Sequence, residues 1–127
     1  MTTSMIQDNL VPNLTLGQYK ALATTNATSL VVGNTRLHFL SAHNTSAAVK
    51  YLKLYNKATA PVVATDVPKL VFPIPAGSYV NPDITNGLKF TAGIAFAITG
   101  AVADTDTTAT AANDVIMNYG YRQPDTW

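Results

Sequence analysis

A chain of 127 residues suits one domain and leaves room for an independent core. All seven acidic residues are Asp, while Thr and Ala occur 18 times each and Asn ten times; this disfavours a helical bundle and favours pleated, half-buried surfaces. The formal net charge is +1 with the lysines spread singly, so no basic run suited to nucleic acid appears, and the lack of Cys excludes disulfides, thiolate metal sites and cysteine nucleophiles.

In chain order, residues 1–25 stand apart. Ile6, Leu10, Val11, Leu14 and Leu16 are spaced without a helical or strand period, and Pro12 and Gly17 interrupt any helix. Tyr19–Ala23 is long enough for one helical turn. The plain alternative is a leader too polar to fold alone. The apolar spacing instead predicts an extended arm that docks on something, such as a neighbouring subunit. The first residues lack the basic and apolar stretches of a secretory signal, and no apolar run approaches the ~20 residues of a membrane span.

From Asn26 onward, short apolar runs alternate with turn signals, the pattern of an all-β domain over residues 26–127. Ser29–Val32 and Thr35–Ala42 flank Gly33-Asn34, which predicts a hairpin. Ala48–Lys57 reads as the longest strand. Leu52 and Leu54 lie on one face; Tyr51, Lys53, Tyr55 and Lys57 lie on the other, with Lys50 near a sheet end. Residues 58–68, with Pro61 and Pro68, read as a crossover between sheets.

Leu70, Phe72 and Ile74 alternate in a strand that Pro73 and Pro75 confine to an edge. Short strands follow at Ser78–Val80 and at Leu88 and Phe90. Ile94, Phe96 and Ile98 then oppose the small residues Ala95, Ala97 and Thr99, which suggests close packing against another layer or subunit. Gly100–Asn113 is a long polar loop. The last strand spans Asp114–Arg122, with Val115, Met117, Tyr119 and Tyr121 alternating. The terminal Trp127 reads as an anchor. About seven to eight strands give a single β-sandwich, immunoglobulin-like or jelly-roll, with an extended N-terminal arm.

Three constellations bear on chemistry. Asp104, Asp106, Thr108 and Asp114 could offer oxygens to Ca²⁺, but the EF-hand glycine and bidentate Glu are missing, and such residues fill any solvated loop. His38 or His43 with a Ser and an Asp could be combined into a triad, yet no nucleophile elbow is present and structural roles fit both better. Tyr51 and Tyr55 beside Lys53 and Lys57 could stack sugars or bases, or contact a protein; a packing ladder explains them as well. No phosphate-binding glycine loop occurs. The chain is expected to be neither an enzyme nor the holder of a cofactor or metal.

The ordered segments Val49–Ala58 (Val-Lys-Tyr-Leu-Lys-Leu-Tyr-Asn-Lys-Ala), Pro73–Gly77 (Pro-Ile-Pro-Ala-Gly), Asn86–Phe90 (Asn-Gly-Leu-Lys-Phe), Gly93–Gly100 (Gly-Ile-Ala-Phe-Ala-Ile-Thr-Gly) and Ala103–Thr107 (Ala-Asp-Thr-Asp-Thr) resemble small virion proteins of tailed bacteriophages, including cyanophages. They are most similar to capsid cement, or decoration, proteins. The resemblance covers about Asn26–Arg122 and carries no catalytic residue. It implies a β-sandwich on the outer capsid that bridges major capsid proteins as a symmetric homo-oligomer, a dimer or trimer. It implies synthesis in the host bacterial cytoplasm and no nucleic-acid or membrane partner. The rival reading is a tail or baseplate component, or a module that reads a host glycan. Ile6, Leu10, Val11, Leu14, Leu16, Tyr51, Tyr55 and Trp127 are the expected contact residues.

Overall fold

The computed structural model describes residues 14–124. They form nine strands: β1 Leu14–Lys20, β2 Thr28–Val32, β3 Thr35–Asn44, β4 Lys50–Asn56, β5 Leu70–Ile74, β6 Tyr79–Val80, β7 Leu88–Phe90, β8 Gly93–Thr99 and β9 Val115–Arg122. One sheet runs β1-β9-β3-β6, with β7 also paired to β3; the other runs β2-β8-β4-β5. Every described pairing is antiparallel.

The pairings nest. β4 pairs with β5, β3 with β6 and β7, β2 with β8, and β1 with β9. A long hairpin rolled up so that its successive pairs fall in alternate sheets is the jelly-roll arrangement. Strand order therefore selects the jelly roll from the two expected sandwich types.

The core follows the predicted alternation. Ile94, Phe96 and Ile98 of β8 meet Leu52 and Leu54 of β4 from their own sheet and Val115, Met117, Leu37 and Leu40 from the other; all are buried. Each such side chain contributes roughly 1.5–3 kcal/mol on burial. Two residues set this packing locally. A β-bulge at His38 shifts the phase of β3, so that both Leu37 and Leu40 point inward while Phe39 points out. Gly93, at φ 144°, opens β8 where a Cβ would lie 2.4 Å from the Val31 carbonyl oxygen, which no other residue could tolerate.

Four expectations change. Leu14–Lys20 is not arm but the edge strand of the first sheet, in register with β9 from Leu14↔Arg122 to Lys20↔Ile116. That strand includes Tyr19 and Lys20, so no helical turn forms at Tyr19–Ala23, and the sandwich begins well before residue 25. β2 and β3 are not a hairpin: Gly33-Asn34 is a corner that carries the chain from one sheet to the other. Residues 58–68 do not cross between sheets, because β4 and β5 are neighbours in one sheet. Pro73 does lie in an edge strand, as its missing N–H requires.

Candidate interaction surface

The outward face of the β1-β9-β3 sheet is built in rows by the strand register. One row holds Leu14, Arg122, Arg36 and Lys89; the next holds Leu16, Gly120 and Phe39; the third holds Gln18, Asn118 and Ser41; the last holds Lys20, Ile116, His43 and Tyr79. The third row is tied by side chains, Gln18 Nε2 donating to Asn118 Oδ1 at 3.0 Å and Asn118 Nδ2 to Ser41 Oγ at 3.4 Å. The second row is apolar. Leu14 and Leu16 lie over Gly120, where an added Cβ would come within 2.9 Å of a Leu16 methyl. Leu16 stays 70% exposed and Phe39 39%.

Lys20, Arg36, Lys89 and Arg122 belong to strands of this sheet; Arg122 is only 9% exposed, and the Arg36 guanidinium donates to the Asn86 carbonyl at 3.1 Å. No strand of either sheet contains Asp. On the other sheet, Lys53 and Lys57 sit among Asp66, Asp104 and Asp106.

That second outward face is roofed by the chain's own loops. Val63 packs on Tyr55, Ala95 and Ala97, which explains the small residues of β8 without a partner subunit. Lys53 is wholly buried and its ammonium donates to the Ala103 carbonyl at 2.6 Å. Burial pushes the Lys53 pKa down, with the charges of Asp106 and Asp104 opposing. Burial, aided by the charges of Asp66 and Asp104, pushes the Tyr55 phenol up, and its hydroxyl has no hydrogen-bond partner among the described residues.

The acidic loop is a self-contained staple. The Asp106 carboxylate accepts from the Ala101 amide at 3.2 Å, the Thr108 amide at 3.1 Å and the Thr108 hydroxyl at 2.8 Å. Asp114 accepts from the Ala111 amide at 2.8 Å and lies 3.6 Å from the Lys50 ammonium. Lys50 thus meets a carboxylate at the sheet end instead of reaching open water along its stem. Among the described residues, no three His, Asp or Glu side chains are grouped to hold a metal ion.

No protein-family model matches the chain. No curated protein matches it in sequence. Among solved structures, the coat protein of tobacco streak virus overlaps 93% of this chain and 91% of its own, at 8% identity and a TM-score of 0.39. A likeness that loose adds nothing to what the strand order itself establishes.

The expected contact residues divide three ways. Ile6, Leu10, Val11 and Trp127 lie outside the described residues. Leu14 and Leu16 are on the surface, yet as part of the sheet rather than of an arm. Tyr55 is 2% exposed, packed with Val63, while Tyr51 is half-buried beside Thr99 and Pro73. Tyr119 and Tyr121 point into the sandwich, stacked at 6.2 Å. Phe39 was missed. Its signal lies in pairing between distant segments, and in a bulge that a one-strand reading does not reveal.

Proposed function

We propose that this chain is a structural protein of a virion, acting as a cement (decoration) protein of a tailed phage. In this reading it binds the outer surface of the major capsid protein shell as a homo-oligomer, after synthesis in the host cytoplasm, and it performs no catalysis. The observation that carries the reading is the exposed apolar row Leu16–Gly120–Phe39 on a sandwich whose interior is filled by its own side chains. Such a surface gains free energy only when another surface covers it. The resemblance over Asn26–Arg122 points to the same role.

Cement works by linkage: a protein that binds the assembled shell and not its dissociated subunits stabilises the shell by mass action. Copy number tests this directly. Quantitative mass spectrometry of purified particles should find on the order of hundreds of copies, since each site adds a small increment that multivalency accumulates. A handful of copies per particle would move the protein to the tail or baseplate and overturn the cement reading.

A further inference from the structure

We infer that β1 is a dimer edge: it pairs antiparallel with β1 of a second copy about a two-fold axis at Gly17, joining two sheets into one. This deepens the reading above, resting on it for the homo-oligomer, and names the interface. β1 ends its sheet, and its backbone shows what that edge offers. The Ala21 amide donates to the Val115 carbonyl at 2.8 Å, and these two residues continue the β1–β9 register. Hydrogen-bonded and non-hydrogen-bonded partners alternate along an antiparallel pair. Thr15, Gly17 and Tyr19 therefore bond to β9. Leu14, Leu16, Gln18 and Lys20 turn their amides and carbonyls the other way, where no described strand lies. Another extended strand satisfies such groups.

A second copy has one suitable strand to bring. Its β5 carries Pro73, its β6 and β7 have two and three residues, and its β2 is broken by a bulge between Ser29 and Val31, with Gln123 donating to the Val32 carbonyl. These are the devices that guard sheet edges. β1 instead runs seven residues without bulge or proline. With Gly17 opposite Gly17, the whole strand is used: Leu14 faces Lys20, Thr15 faces Tyr19 and Leu16 faces Gln18 of the second copy. No charge meets a like charge, because the two Lys20 residues stand at opposite ends, ~20 Å apart. Leu16, 70% exposed in the single chain, gains Leu16 of the second copy as a diagonal neighbour. The pairing also closes. It uses the one bare edge of each copy, so the joined sheet stops at two copies instead of growing into a fibre. About eight backbone hydrogen bonds along ~23 Å make a small interface, so the dimer dissociates in roughly the micromolar-to-millimolar range.

Sedimentation of the full chain from about 10 µM to about 1 mM should show a reversible monomer–dimer equilibrium. Leu16→Pro removes an amide that points away from β9 and leaves the β1–β9 ladder whole, so circular dichroism should be unchanged while the dimer is lost. A wild type that stays monomeric throughout, or a dimer that folded Leu16→Pro retains, overturns the proposal. Dimerisation only after removal of residues 1–13 overturns it too, because the edge would then belong to the chain's own N-terminal segment.

Cysteine trapping tests the register without a proline. The chain has no Cys of its own, and directly opposed residues lie at about 5.5 Å between Cα atoms, within disulfide reach. A mixture of Leu16→Cys and Gln18→Cys proteins, oxidised together, should cross-link one of each at least fivefold faster than Val67→Cys, an exposed loop position, cross-links with itself. Equal rates overturn the pairing. Its failure is separable from failure of the cement reading. A monomer present in hundreds of copies per particle ends the dimer edge alone, whereas a β1-paired dimer present in a handful keeps the edge and ends the cement reading.

Discussion

Asn26 shows how one residue can hold three segments together. It sits at φ 60°, a conformation Asn tolerates better than most residues, and it is 3% exposed. Its side-chain oxygen accepts from the Tyr19 hydroxyl and the Leu22 amide, both at 2.7 Å, and its nitrogen donates to the Thr24 carbonyl at 3.0 Å and Thr110 Oγ1 at 2.9 Å. Asn26→Ala strands several of these buried groups and should cost about 3 kcal/mol, read as a lower urea midpoint. A second residue-level consequence is acid sensitivity. The Lys57 ammonium, hydrogen-bonded to Asp66, together with the Val62 amide, holds that carboxyl below the usual range. At Asp106, desolvation pushes upward, but the Thr108 and Ala101 hydrogen bonds and the Lys53 charge outweigh it. Both carboxyls therefore stay ionised in the folded chain at pH values where the unfolded chain is protonated. Their stabilisation is full above the unfolded value and is lost as pH falls through the folded one. The double variant Asp66→Asn/Asp106→Asn should lose less Tm than wild type between about pH 6 and about pH 3.

At the scale of elements, β1 changes how truncations should behave. Removing residues 1–13 leaves every described strand in place, and the urea transition should stay cooperative. Removing residues 1–23 takes away β1 and exposes Met117 and Tyr119 of β9, which it covers. That protein should unfold at a clearly lower urea concentration or aggregate through the bared edge of β9. The other eight strands were legible because their inward positions are apolar and their turns carry Gly, Pro or Asn. β1 was not legible, because its pattern is inverted. Thr15, Gly17 and Tyr19 take the inward positions, while Leu14 and Leu16 face out over Gly120. Hydrophobic alternation marks a buried face, and here it marks the exposed one. The loops failed differently: Val63 looks like any loop valine until the chain folds back over Tyr55. Composition says that a residue will be buried, but not by which distant segment.

At the scale of the whole molecule, the nested pairs differ widely in the length of chain they enclose. The innermost pair, β4 with β5, closes a short loop, while β1 meets β9 across most of the chain, Leu14 opposite Arg122. Closing distant pairs costs chain entropy before their contacts form. Refolding followed by tyrosine fluorescence should therefore take milliseconds to seconds; a microsecond relaxation would contradict this. The same register has a mechanical consequence. Leu14 and Arg122 are neighbours at one end of an antiparallel pair. A pull applied between these two points peels β1 from β9 one hydrogen bond at a time, instead of shearing all of them at once. The sheet is thus weak under tension applied between Leu14 and Arg122, and single-molecule pulling from these two points should open it at a low force.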